Sequence, residues 1–277
     1  MSNVKQVFAM RDDSRSRHSV QSVERAFAVL RSFTAERPVQ GVSEIASALD
    51  LNRTTVHRLL ATLESCGAVR RDPISHRYTI SAGVLQFANV FHQTSNVRDI
   101  AHQAMVRLRD ETGQTAALHL REGFERVTIS QVESNQDLRM TYRDLGVPQP
   151  LHLGAPGKAI LAHLCEDEIE EYLSRRHLVA FTENSITNPA LIRAQLEKIV
   201  HRGISVSREE RRPGVVSVAA PVFNDAGQVI GAMNICGPVH RVSEEQIEQI
   251  IPLVREAARE TSRRLGWIES PVAETAD

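Results

Sequence analysis

The stretch LNRTTVHRLLATLESCG, residues 51–67, decides how the N-terminal part of the chain is read. At 100° per residue, Val56, Leu59, Leu60 and Leu63 fall in one narrow sector, which predicts a helix with a single buried side. Thr54, Arg58 and Ala61 point the opposite way, Thr55 and His57 lie on the flanks, and Arg53 sits in the first turn. This outward set is short, hydrogen-bonding and cationic near the helix N-terminus. It suits a helix in the DNA major groove, where arginine pairs with guanine O6 and N7 and threonine hydroxyls reach phosphates. Taken alone, the same face also fits a solvated helix that carries two arginines.

The flanking sequence bears on that choice. Upstream, SVERAFAVLRSF places Val23, Ala26, Phe27, Leu30 and Phe33 on one apolar stripe behind Ser22 as cap. VSEIASALDLN gives a short second helix with Ser43 as cap and Ile45, Ala46 and Leu49 inward. Only DLN then separates the second and third helices, the length of a helix-turn-helix turn. Downstream, GAVRRDPISHRYTIS reads as two short strands around a proline-containing turn, so three helices and a hairpin make a winged helix. Arg70, Arg71, His76 and Arg77 make the hairpin basic, suited to phosphate contacts that add affinity without reading sequence. Ser43, at the start of the second helix, joins the expected DNA-contacting set.

Composition sets the wider frame. A chain of 277 residues is comfortable for two domains, and 42% hydrophobic with 24% charged residues is the content of an ordinary globular protein. A net charge of −1 argues against indiscriminate coating of nucleic acid, yet residues 11–80 hold eleven arginines against eight acidic residues. No apolar run approaches the roughly 20 residues of a membrane span, and the N-terminus lacks a signal core, so a cytoplasmic location without membrane contact is expected. Cys66, Cys165 and Cys236 are widely spaced without a CxxC, and read as buried thiols rather than a disulfide framework or zinc site.

The texture changes after about residue 114. TAALHL, RVTISQVE, GISVS, VVSVAAPVFND and GQVIGAMNICGP read as strands, the last two joined as a hairpin across NDAG. CEDEIEEYL and NPALIRAQLEKIVHRG read as helices, the latter stopped by Gly203. PLHLGAPGKAILAHL is a turn-rich loop feeding a helix. The last helix is capped by Ser243, with Pro252 implying a kink or a late start. The fold class is therefore α+β: an N-terminal winged helix-turn-helix, a helical linker broken near TSN, and a C-terminal antiparallel sheet with flanking helices. The expected boundaries are a mobile arm over 1–17, the winged helix over 18–82, the linker over 83–100, the second domain over 101–268 and a tail over 269–277.

SVERAFAVLRSF, SEIASALDLNRTTVHRLLATLESCGAVRRD, LHLGAPGKAILA and EERRPGVVSVAAPVFNDAGQVIGAMNICGP, in this order, resemble the IclR family of bacterial transcriptional regulators over roughly residues 20–266. The C-terminal string is the most specific part. The resemblance implies a GAF-like effector-binding domain, a homodimer or tetramer, double-stranded operator DNA as partner and a small organic or aromatic acid as effector. It further implies Leu138 and Met140 as apolar wall, Leu153, Gly154 and Ala155 as amide donors, and Ser207, Ser217, Asn234 and Cys236 as polar groups on strands. Some members carry an acidic residue and a cysteine where Ser207 and Ser217 stand here. His119 and Arg139 are additional candidates for polar contacts.

Each of these residues has a plainer reading: Met140 as core filler, Cys236 as a small hydrophobe, His119 as a packed strand residue. GAPGKA lacks the GxxxxGK[ST] spacing of a phosphate loop, and no nucleophile elbow, metal-ligand spacing or isolated carboxylate pair stands out, so neither cofactor nor catalysis is expected. A C-terminal domain that only dimerises remains an alternative, as does, less simply, an enzyme acting on a small acid.

Overall fold

The computed structural model describes residues 20–94, 96–175 and 178–268, so the expected arm over 1–17 and tail over 269–277 lie outside the described residues. The chain divides between residues 95 and 96 into two compact units.

The first unit runs α1 (Gln21–Ser32), β1 (Val39–Gln40), α2 (Val42–Leu49), α3 (Arg53–Ser65), β2 (Val69–Arg71), β3 (Tyr78–Ile80) and α4 (Leu85–Thr94). Val56, Leu60 and Leu63 of α3 close over Val29, Ile45, Ala46, Val69 and Tyr78, with Leu59 half-buried at the edge. Asn52 caps α3 by accepting the Thr55 amide at 2.7 Å. Asp50 ends α2 in the left-handed region at φ 52°, which lets three residues turn the chain from one helix into the next. Strands β2 and β3 form the expected hairpin, extended by β1 on the free edge of β3.

Three expectations in this unit are corrected. Ser43 does not cap α2: the cap is Gly41, whose amide donates to Glu44 Oε2 at 2.7 Å, and Ser43 is exposed in the first turn. Ser22 likewise lies inside α1, which starts after Val20. The apolar stripe of α1 is offset, because α1 meets the core through the fully buried Val29 and leaves Val23 and Phe27 about half exposed at 52% and 53%. The ERPVQG break also contains β1, invisible as a two-residue strand but held by Gln40, whose side chain donates to the Ser32 carbonyl at 2.6 Å.

The second unit runs α5 (Val97–Thr112), β4 (Thr115–Glu122), β5 (Glu125–Val132), β6 (Pro148–Pro150), α6 (Gly154–Leu161), α7 (Glu166–Arg175), α8 (Pro189–Arg202), β7 (Ser205–Arg208), β8 (Val215–Phe223), β9 (Val229–Pro238) and α9 (Glu244–Arg264). All six strands are antiparallel, in the order β6-β5-β4-β9-β8-β7. Short β6, PQP by sequence, is not among the expected strands; it sits at the sheet edge, where prolines are tolerated. Gly203 ends α8 in the left-handed region and Ser243 caps α9, whose Pro252 lies inside a continuous helix.

Alternation along the strands sorts side chains between two layers. Val216, Val218, Ala220 and Val222 of β8 and Met233 and Ile235 of β9 pack with α5 and α9. The intervening Ala219 and Ala232 pack with α6, α7 and α8. The same parity turns His119, Ser217, Asn234 and Cys236 toward the second layer. The backbone of α6 approaches the loop before it so closely that a Cβ on Gly157 would sit 2.4 Å from the Leu151 carbonyl oxygen. Gly157→Ala should therefore destabilise the second unit by about 1–3 kcal/mol, the cost of overpacking a rigid contact. Thermal denaturation of the variant checks this, and an unchanged melting temperature would contradict the close approach.

Candidate functional site

Two surfaces hold the residues singled out by sequence. On the first unit, Arg53, Thr54, His57 and Arg58 are exposed along α3 and Thr55 is half-buried beside its cap. The wing turn is shaped by Asp72, whose carboxylate accepts from the Ser75 amide and hydroxyl at 2.7 and 2.8 Å and from the Ile74 amide at 3.1 Å. Those hydrogen bonds, Ser75 first, hold its carboxyl below the ordinary aspartate value. Arg70, Arg71 and His76 are exposed around this turn, while His76 adopts φ 55°. Arg77 differs: it donates to Glu44 at 2.6 Å and to the Val39 carbonyl at 3.1 Å, tying the wing to α2. The thiols also depart from expectation. Cys66 lies exposed at the end of α3 and Cys165 exposed just before α7, because both fall at helix boundaries; only Cys236 is buried.

On the second unit, a cavity of about 480 Å³, counted out to its open mouth, lies over the sheet at the start of α6. Met140, Gly154, Ala155, Ser207, Ser217 and Cys236 line it. Leu153 is fully buried as the residue before α6, and Leu138 is 55% exposed outside the cavity. His119 and Asn234 lie beneath the lining, joined by a 2.9 Å hydrogen bond from His119 Nε2 to Asn234 Oδ1. Asn234 Nδ2 in turn donates to Tyr142 Oη at 2.8 Å and Ser217 Oγ at 2.7 Å. Arg139 turns away to Glu133 at 2.9 Å.

Sequence reasoning missed the charged part of the lining, Arg126, Glu210, Arg211 and Arg212, and the phenol of Tyr142. Strand parity was the available signal, since Arg126 and Thr128 alternate inward along β5 and both reach His119 Nδ1 at 3.0 Å. A β-bulge between Leu118 and His119 shifts the register beside this contact. The EERRPG turn carries the rest. Glu210 is buried with Lys158 at 2.5 Å and also accepts the Gly154 amide at 3.3 Å, so one amide expected for a ligand is already engaged. Arg211 and Arg212 both pair with Asp144.

Burial shapes the protonation states. It drives His119 well below its usual value, reinforced by Arg126, so the imidazole is neutral. Burial raises the Cys236 thiol to about 11 and lifts the Tyr142 phenol, leaving both protonated. Burial and the neighbouring Arg211 lower Arg126 to about 10, which still leaves it charged at neutral pH. Burial alone would raise Asp144, but Arg211 and Arg212 hold it below the ordinary carboxylate value.

A winged helix-turn-helix in one chain with a cavity-bearing α+β unit is the architecture of a ligand-responsive transcriptional regulator. Residues 22–73 match the IclR helix-turn-helix domain and residues 90–263 match the bacterial transcriptional regulator IclR C-terminal domain, so the chain belongs to the IclR family. It is 32% identical over 253 residues to the HTH-type transcriptional repressor AllR of Salmonella typhi, covering 91% of this chain and 92% of the repressor. The crystal structure of the Thermotoga maritima IclR is similar at a TM-score of 0.71 and 34% identity, covering 89% of this chain and 99% of that one. An IclR homolog from Microbacterium hydrocarbonoxydans, complexed with 4-hydroxybenzoate, shares the fold at a TM-score of 0.74 and 21% identity, over 88% of this chain and 98% of that one.

His119 and His152 give a test of the buried polar layer. His152, just before α6, hydrogen-bonds Tyr172 Oη at 2.8 Å and the Val179 carbonyl at 3.1 Å, and burial lowers it to about 4. An unfolded histidine titrates near 6.5, so below that pH the unfolded chain binds more protons than the folded one. Stability should fall as pH drops from about 7.5 toward 5. Melting temperatures across that range test this, and His152→Gln should flatten part of the slope; a profile flat in the parent protein would refute the neutral buried imidazoles.

Proposed function

We propose that the chain is a cytoplasmic regulator that binds operator DNA through α3 and the wing and a small organic or aromatic acid in the second-unit cavity. The observation that carries the DNA half is the exposed row Arg53, Thr54, His57 and Arg58, which no intramolecular ion pair occupies among the described residues. Thr54 and Arg58 point straight away from the core and are assigned to base edges; Arg53, Thr55 and His57 go to the backbone, with Arg70, Arg71 and His76 of the wing. Ser43 stands exposed at the start of α2, in reach of a phosphate role. Arg77 has the smaller part, since its guanidinium already joins Glu44.

The ligand half rests on the polar groups of the cavity, with Ser207, Ser217 and Cys236 on the strands and Ala155 at the start of α6. The homolog that holds 4-hydroxybenzoate supports an acid of that size. A homodimer or tetramer is favoured by apolar side chains left exposed on the first unit, Val23 and Phe27 on α1 and Leu85 and Phe87 on α4, the last 68% exposed. In this reading α4 is the linker helix. A domain that merely dimerises would have no use for the polar cavity.

Selection of bound duplexes from a random pool, followed by fluorescence anisotropy at several salt concentrations, tests the DNA half. Arg58→Ala should relax sequence preference and cost about 1–3 kcal/mol on the selected site. Arg53→Ala should weaken all duplexes alike and reduce the salt slope by about one. The opposite pattern would show that the wrong face of α3 has been assigned, and no sequence-selective binding would remove the function.

A further inference from the structure

Arg126 is the largest side chain fully enclosed among the described residues, and it lines the cavity. Its Nη1 donates to His119 Nδ1 at 3.0 Å, its Nε has no hydrogen-bond partner, and no described carboxylate pairs with it. The guanidinium lies against the start of α6, where a Cβ placed on Gly154 would come 3.9 Å from Arg126 Nη2. A buried cation without a carboxylate is costly, and such a group persists where something other than packing uses it.

The neighbouring charges do not neutralise it. Lys158 is matched by Glu210, while Arg211 and Arg212 share the single carboxylate of Asp144. Four cations therefore face two carboxylates, leaving two positive charges in excess. The better matched of the two arginines is Arg211; Arg212 meets Asp144 only at 3.5 Å and its side chain is 33% exposed.

The hydrogen bonds carry the same polarity further. Guanidinium only donates, so His119 Nδ1 accepts, Nε2 holds the proton and donates to Asn234 Oδ1. Asn234 is thereby oriented with its amide nitrogen toward Tyr142 Oη and Ser217 Oγ. Ser217 spends its proton on the Ile235 carbonyl, and Tyr142 Oη is hydrogen-bonded to the Cys236 thiol. The donors left for a ligand are those of the Arg126 guanidinium at the floor and of Arg212 at the wall, and they call for a ligand rich in acceptors.

We infer that the cavity selects a small dicarboxylate, one carboxylate taken by Arg126 in depth and the other by Arg212 at the more exposed wall. This rests on the reading that the cavity takes the effector, and it narrows the acid to a dianion. Arg126 is then a specificity-determining residue whose presence costs the unliganded protein stability.

Isothermal titration and thermal shift on the full chain test this with matched probes, phthalate against benzoate and glutarate against butyrate. At least one dicarboxylate should bind about tenfold or more tightly than its monocarboxylate partner. Arg212→Met should reduce that preference. Arg126→Met, in which Thr128 still donates to His119, should abolish the dicarboxylate-induced shift while leaving the unliganded melting temperature unchanged or higher. Equal binding of both classes would overturn the dianion and leave the acid-binding reading intact. No binding by any of the four probes would overturn both. A lower unliganded melting temperature in Arg126→Met, with the phthalate or glutarate shift retained, would show Arg126 to be structural.

Discussion

Period-two alternation in β4, β9 and β8, with both faces of the sheet covered, is the constraint on which the second unit depends. Every even residue from Val216 to Val222 must be apolar to meet α5 and α9. The odd positions are thereby released from the main core and carry Ser217 beside Ala219. In β9 the parity is reversed, with Met233 and Ile235 on the apolar layer and Asn234 and Cys236 on the other. A slip of one residue in the β8–β9 register would exchange the two sets and bury the polar groups in an apolar layer. Fold stability and the position of the cavity are consequently fixed by the same pairing.

This explains which features could be read from residues alone. The third helix was legible because its leucines repeat at 3.6-residue spacing over three turns, and one core receives them. The strands of the second unit were legible as strands, and the family resemblance located the turn before α6. The charge pattern of the cavity was not. Arg126 stands at the start of a strand beside Glu125, where a sequence reader expects solvent, and only the sheet order β5-β4-β9 encloses it. Glu210, Arg211 and Arg212 sit in a polar turn whose contacts reach residues 52 to 68 positions away. Likewise, Leu138 matched the family pattern but its place outside the cavity depends on the path of a long loop.

The buried Lys158–Glu210 pair and the half-buried pairs of Asp144 differ in what they do. Lys158–Glu210 joins α6 to the turn before β8, and the Thr182 and Ser185 hydroxyls hold the Glu210 backbone carbonyl at 3.1 and 2.6 Å. Removing either charge would strand the other in a closed site, a loss of about 3–5 kcal/mol for pairs of this kind. Such a pair fixes geometry more than it adds net stability. Asp144 serves two arginines and leaves room for competition, because an incoming carboxylate can take over one of them without leaving a charge bare.

In the proposed reading, a cavity with surplus cation would meet the thermodynamic requirement of a sensor. Ligand binding changes DNA affinity only where the ligand binds two states of the protein unequally. Glu209 holds φ 55° in the turn that carries Glu210, Arg211 and Arg212, a conformation that a non-glycine residue adopts at some cost. That turn contacts α6 through Gly154 and Lys158, and the loop before β6 through Asp144. An anion bound between Arg126 and Arg212 would draw Arg212 away from Asp144, one of the contacts that hold the turn in place. Its binding energy would then depend on where the turn stands, which is the differential affinity that a two-state response demands.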